Sequence, residues 1–168
     1  MPHDQRPISE LPFNLHGKIF RSPMPFGPYD RLSETWDSYQ KNNIGMVVIL
    51  TEKQEYFVHA RRDLAKFYAD AGLEVLHFPI QDYKVPTDPA AVDEAIASVI
   101  AQAKAGKNIA AHCLAGLGRT GIFMACLAKR HFDMNGRQAI DWVRQFVPGA
   151  MENPLQEQFV MDYGKLAN

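Results

Sequence analysis

Cys113 and Arg119 lie six positions apart in the run His112 to Gly121, HCLAGLGRTG, and no other segment of the chain combines a nucleophile, an anion ligand and the flexibility to bring them together. A cysteine followed by a glycine-rich turn that opens a helix sits where backbone N–H groups converge, a setting that favours thiolate over thiol. An arginine in the first helical turn adds a planar fork matched to two phosphoryl oxygens, which lysine does not reproduce. The chemistry these residue types suit is attack of sulfur on phosphorus. In that reading Cys113 is the nucleophile and Arg119 the phosphoryl clamp. Gly116 and Gly118 provide positive φ and clear the approach to the amides. Thr120 offers a hydroxyl to the sulfur, and Gly121 is expected to allow close packing of helix on strand.

Other uses of such a turn fit less well. A nucleotide-binding loop needs a lysine before Ser or Thr, and a dinucleotide fingerprint needs Gly-x-Gly-x-x-Gly; neither is present. A cysteine protease requires a base histidine and has no use for the arginine. His112 precedes the nucleophile on the strand and is badly placed as a base.

The elements that must position this loop follow from periodicity. Short strands are expected at Lys18 to Arg21, Met46 to Leu50, Glu74 to Ile80 and Asn108 to His112, with Glu74 to Ile80 as a second central strand. A helix capped by Ser33 runs to about Asn42. Phe57, Ala60, Leu64, Phe67 and Ala71 recur at helical spacing and predict one helix over Glu55 to Ala71, stopped by Gly72. Val92, Ala95, Ile96, Val99, Ile100 and Ala103 form an apolar stripe that Gly106 ends, with Asp88 and Pro89 reading as its cap. The helix Arg119 to about His131 is apolar nearly all round, hence buried. Two more are expected near Gly136 to Val147 and Asn153 to Leu166.

This alternation implies an α/β fold: a single domain over 1–168, with a central, mostly parallel sheet of four to five strands flanked by helices on both faces. Residues 1–12 read as a loose arm. Ligands of such sheets bind beyond the carboxyl ends of the strands. The cysteine loop and the polar Gln81–Thr87 segment both leave from such ends, so they face one crevice. Thr51, Glu52 and Lys53 border it, as substrate contacts or as ordinary loop residues.

Composition sets outer bounds. The chain has 168 residues, and its 18 basic against 19 acidic residues leave a net charge of −1. Bulk charge therefore directs it neither to nucleic acid nor to membrane. Two cysteines, Cys113 and Cys126, do not make a disulfide framework. Pro2, Asp4, Pro7, Glu10 and Pro12 occupy the region where a secretory segment would be apolar. The expectation is a cytoplasmic, monomeric enzyme.

HCLAGLGRTG resembles the signature of the cysteine-based protein tyrosine phosphatases: His-Cys, five residues, Arg, Ser or Thr, Gly. The chain's size is similar to the compact dual-specificity branch. SPMPFG, HFPIQDYKVPTD and VPGAMENPLQEQF resemble the cyclin-dependent kinase-associated phosphatase and its relatives. The likeness extends from about Gly17 to Leu166. It implies a phosphomonoesterase that needs neither metal nor cofactor and passes through a cysteinyl-phosphate on Cys113. It implies that the amides of Leu114, Ala115, Gly116, Leu117, Gly118 and Arg119 line the phosphate cradle. It implies that Arg119 stabilises the transition state, that Thr120 favours thiolate departure and that His112 orients the loop. It also implies a general acid, and Asp82, 31 positions before Cys113 in a proline-containing loop, matches it. Gln156 reads equally as the residue that positions the hydrolytic water and as part of a helix cap with Asn153 and Pro154. The implied partner is a phosphorylated protein, on phosphotyrosine and by extension phosphoserine or phosphothreonine. Inositol phosphate, phospholipid and RNA 5′-phosphate substrates stay open, as does a phospho-binding module with weak turnover.

Overall fold

The computed structural model describes residues 7–165 and has twelve elements. In chain order these are β1 Ser9–Leu11, β2 Ile19–Ser22, α1 Thr35–Lys41, β3 Ile44–Ile49, α2 Lys53–His59, α3 Leu64–Asp70 and β4 Glu74–His77. Then follow α4 Pro89–Lys104, β5 Asn108–His112, α5 Gly118–His131, α6 Gly136–Phe146 and α7 Pro154–Asp162. The five strands form one sheet in the order β1-β2-β5-β3-β4, parallel except for the antiparallel β1–β2 pair.

Strand alternation divides the core in two, because successive side chains point to opposite faces. Ile19, Met46, Val48, Ile109 and Ala111 face α4 to α7, while Phe20, Val47, Ile49 and Ala110 face Tyr39, Tyr56, Leu64 and Tyr68 of α1 to α3. The crossover through α4 returns the chain past β3, so β5 lies between β2 and β3. The cysteine loop that follows it therefore leaves from mid-sheet. Among the described residues no helix is long and apolar enough to cross a membrane.

Several sequence expectations need correction. Ser9–Leu11, within the segment expected as a loose arm, pairs with β2 and buries Leu11; residues 1–6 of that segment lie outside the described residues. Its pattern, one polar residue between two buried ones, is too short to register as periodicity. The Glu74 strand is at the sheet edge rather than central and ends at His77. The helix expected over Glu55 to Ala71 is two helices, because Arg61 adopts φ 56° and Asp63 caps α3 by accepting from the Lys66 amide. The buried stripe is Tyr56, Ala60, Leu64 and Tyr68; it departs from the expected one at Phe57 and Ala71, which are exposed, and at Phe67, which is half-buried beside Tyr68. Ser33 also has positive φ and caps nothing. The buried Asp30 carboxylate takes the Thr35 amide and hydroxyl instead. The last helix ends at Asp162, before Leu166, which lies outside the described residues.

Candidate active site

Cys113 emerges from β5 into a turn whose shape is fixed by where its carbonyls go. The Cys113 carbonyl accepts from His112 Nδ1 at 3.0 Å and the Leu114 carbonyl from the Met24 amide at 3.0 Å. Arg21 donates to the Ala115 carbonyl (Nη2, 2.9 Å) and the Gly116 carbonyl (Nε, 3.2 Å). Leu117 caps the run by accepting from the Gly121 and Met151 amides. A peptide's N–H points opposite to the preceding C=O, so tying the carbonyls outward turns successive amides inward. One of these, Gly116 N, donates to Cys113 Sγ at 3.3 Å. Gly116 has φ 80°, whereas Gly118 is the first residue of α5 with no positive φ, so only one of the two expected glycines is needed for the turn. A Cβ on Gly118 would lie 3.0 Å from the Glu152 carboxylate, so close approach explains that glycine. Gly121 packs on the Ala150–Met151 backbone, not on a strand.

Arg119 is 1% exposed. Its Nη1 and Nη2 grip both oxygens of Glu55 at 2.8 and 2.9 Å, Nη1 also reaches the Ile80 carbonyl at 3.0 Å, and Nη2 lies 3.2 Å from Asp82 Oδ1. Burial works against the guanidinium charge, but the Glu55 hydrogen bonds and the neighbouring Cys113, Glu55 and Asp82 outweigh it, so its pKa is raised. Of five N–H donors, three are taken by these hydrogen bonds. Nε–H and one Nη2–H remain, and together they form the other edge of the fork.

Asp82 is at the start of a loop held under strain. Tyr83 occupies the left-handed region with φ 61°, unusual for a bulky side chain. Its amide donates to Asp82 Oδ1, and its carbonyl accepts from Asn153 Nδ2 at 3.0 Å. Gln156 adds a second brace: its Oε1 accepts from the Glu152 amide at 2.7 Å and its Nε2 donates to the Lys84 carbonyl at 3.3 Å. Asn153 caps α7 through the Gln156 amide, with Pro154 at the first helical position.

His112 is fully buried between the Cys113 carbonyl and the Tyr68 hydroxyl at 3.0 Å. Burial pushes its pKa down to about 4, against the raising effect of the Cys113 bond and with the Arg119 charge adding to the lowering. It is therefore neutral at pH 7. Since a carbonyl only accepts, Nδ1 carries the proton and Nε2 accepts from Tyr68. Thr120 Oγ1 is buried without a hydrogen-bond partner, so it makes no bond to Sγ here. Thr51 is buried, Glu52 caps α2 in a reciprocal box with Glu55, and the exposed Asp88 caps α4 by accepting from the Ala90 and Ala91 amides. Burial pushes the Cys126 thiol up, as befits a core residue.

Cys113, Arg119 and Asp82 thus line one cavity of about 30 Å³ with Leu114, Ala115, Tyr29, Tyr83 and Glu152. The roomier depression of about 400 Å³ between α4 and α5, with Lys104, Arg130 and His131 at its edge, is lined by no cysteine, serine or threonine. Glu55, Arg21, Tyr29 and Glu152 escape a reading of the sequence. Only Glu55 left a local trace, standing three residues after Glu52 as a capping box.

Residues 27–132 match the model of a phosphatase family described as Tc-R-P, polymorphic toxin system, DSP-PTPase phosphatase. This chain belongs to the DSP-PTPase phosphatase family. Among its curated relatives is the human dual specificity protein phosphatase CDC14C, 33% identical over 145 residues, which are 86% of this chain and 30% of that protein. The chain thus spans about a third of the length of the first relatives it matches. The phosphatidylglycerophosphate phosphatase PTPMT2 of Arabidopsis thaliana is 27% identical, over 79% of this chain and 54% of that one. Among solved structures, kinase associated phosphatase with its catalytic cysteine substituted by serine superposes with a TM-score of 0.85 at 21% identity, covering 97% of both chains. That likeness carries the dual-specificity phosphatase fold.

Proposed function

We propose that this DSP-PTPase domain hydrolyses phosphomonoesters on proteins through a cysteinyl-phosphate, without metal. The observation that carries the reading is the convergence of Cys113, Arg119 and Asp82 on one cavity. Cys113 Sγ attacks phosphorus as the ester bond breaks, and Asp82 gives its proton to the departing oxygen. Nε and Nη2 of Arg119, with the inward amides, hold the equatorial oxygens. Water then attacks phosphorus, its proton passes to Asp82, and sulfur leaves as thiolate, a departure that the Thr120 hydroxyl assists. Charge that a metal supplies in other phosphatases comes here from the guanidinium and the amides.

Protein rather than polyphosphate substrates are favoured by the lining. Among the described residues that line the cavity Arg119 is the only cation, two carboxylates (Asp82 and Glu152) border it, and Tyr29 and Tyr83 add exposed aromatic surface suited to an aromatic ester. A ring bearing several phosphates meets repulsion there. The PTPMT2 relative makes a lipid phosphate the second reading.

The test compares initial rates of the wild-type chain on phosphotyrosine peptides, phosphothreonine peptides, phosphatidylglycerophosphate and inositol phosphates, with and without a chelator. Turnover of peptides that survives chelation and disappears in Cys113→Ser supports the reading. Appreciable activity in Cys113→Ser refutes the mechanism, and preference for the lipid refutes the substrate class.

A further inference from the structure

Three consecutive carbonyls of the cysteine turn, those of Leu114, Ala115 and Gly116, are bonded by one short segment at the end of β2. The Met24 amide takes the first and the Arg21 guanidinium the other two. The geometry gives Arg21 a task that the spacing of the signature does not reveal. The peptide that joins Ala115 to Gly116 has its C=O on Arg21 Nη2 at 2.9 Å and its N–H on Cys113 Sγ at 3.3 Å. The next peptide has its C=O on Arg21 Nε at 3.2 Å, which turns the Leu117 N–H to the pocket side. A cation on the carbonyl end of a peptide also polarises its N–H, making it a better donor to an anion.

Gly116 completes the fit. A Cβ there would lie 2.3 Å from Arg21 Nη2 and 2.3 Å from the Ser22 carbonyl, so the missing side chain is the space that lets the guanidinium reach the turn. The left-handed φ of 80° and the absent Cβ are thus two demands of the same contact.

We infer that Arg21 is a positioning residue for the phosphate cradle: by its fork it aims the Gly116 amide at the nucleophilic sulfur and the Leu117 amide at the phosphoryl oxygens. It acts through the turn and touches no substrate. The inference rests on Cys113 being the nucleophile, as proposed above.

Two variants test it on the full chain. Arg21→Gln removes the charge and the fork. Arg21→Lys keeps the charge but offers a point donor in place of two parallel ones. Lys18→Gln, at an exposed position just before the same strand, controls for net charge. Three quantities are read well below the melting temperature: vanadate inhibition, kcat and KM separately, and the rate at which iodoacetate alkylates Cys113 below the ordinary thiol pKa. Reaction is assignable to Cys113 because Cys113 lines the cavity, whereas Cys126 does not and burial pushes its thiol up, away from the reactive thiolate. Arg21→Gln is expected to weaken vanadate about tenfold and slow alkylation about tenfold, as fits one misaimed hydrogen bond to a charged group. Arg21→Lys recovers part of each loss, and Lys18→Gln changes neither. A variant that merely melts earlier, with vanadate affinity and alkylation as in the wild type, overturns the inference, and so does full recovery by Arg21→Lys. Should Arg21→Gln not fold, the wild-type chain still decides: the Arg21 Nε–H resonance is expected to shift on vanadate titration, and an unmoved resonance overturns the inference. Failure of the active-site reading looks different. In that case vanadate does not protect wild-type Cys113 from iodoacetate at all.

Discussion

Glu55 grips Arg119 by both oxygens, at 2.8 and 2.9 Å, from the first turn of α2, a helix 64 positions away in sequence. The same Oε2 also accepts the Glu52 amide at 2.8 Å, so the carboxylate is fixed before it meets the guanidinium. One edge of the fork is spent on this contact and the other is left for substrate.

Substituting Glu55→Gln should therefore impair the site while leaving its ligands in place. The variant keeps a side chain of the same shape but loses the charge beside an almost fully buried cation. Removing one partner of a buried pair costs about 3–5 kcal/mol at the upper end; the bonds the remaining Gln oxygen can accept and Glu55's partial exposure place this case lower, about 1–2 kcal/mol, although the amide NH2 now faces one Arg119 N–H as donor against donor. Thermal unfolding and kcat/KM on p-nitrophenyl phosphate check it. Equal stability and activity would mean that the pair does not organise Arg119.

Asp82 competes with the substrate it is proposed to serve, because its Oδ1 sits 3.2 Å from the Nη2 that a phosphoryl oxygen needs. Asp82→Asn relieves the competition and removes the proton donor. Vanadate should bind more tightly than to the wild type, while kcat on alkyl esters falls by about 10²–10⁴ and on activated aryl esters by much less. Equal losses on both esters would place the acid elsewhere.

The two halves of the site differ in how legible they are in the sequence. Cys113 and Arg119 could be picked out because the turn is local, and Asp82 because its proline-containing loop matches the family's acid, even though the strand before it ends at His77 and not at Ile80. Glu55, Arg21 and Glu152 could not, since each meets the turn only after β2, α2 and the α6–α7 connection have packed around β5. The fold shows the same divide. The long α4 stripe and the buried α5 read cleanly. The break at Arg61 did not, because two short helices in succession keep nearly the spacing of one. Strand order was illegible altogether: nothing local in Glu74–His77 says that it lies at an edge.

Burial of His112 gives stability a pH dependence whose sign is fixed. The group titrates near 6.5 when unfolded and at about 4 when folded. Between these values the unfolded chain binds a proton that the native state refuses, so stability is full above about 6.5 and is lost as pH falls toward 4. The full loss is about 3 kcal/mol. His112→Asn, which keeps a donor near the Cys113 carbonyl, should flatten this slope in chemical denaturation between those limits. An unchanged slope would mean that His112 is protonated in the native protein.

Thr120 stores an unmet hydrogen bond, and its substitution should separate stability from catalysis. Its hydroxyl is buried without a partner, an arrangement that costs about 1–3 kcal/mol. Thr120→Val keeps the volume and removes the polar atom, so the melting temperature should hold or rise. If the hydroxyl is kept for the sulfur as it departs, the same variant slows the second step. A burst of p-nitrophenol close to the enzyme concentration would then precede a slow steady state. A faster-melting variant without a burst would make Thr120 structural.

Gln156 poses the converse question, because its amide is already committed at both ends, to the Glu152 amide and the Lys84 carbonyl. A side chain so engaged braces the Asp82 loop against α7, and it does not join the residues that line the cavity. Gln156→Ala should consequently destabilise the chain by about 1–3 kcal/mol, through the groups it strands. It should lower kcat most on poor leaving groups, in parallel with Asp82→Asn, because what it disturbs is the acid. No p-nitrophenol burst should appear, since the cysteinyl-phosphate would not accumulate. A clear burst would instead return Gln156 to the hydrolytic step and show that its two bonds open when the intermediate forms.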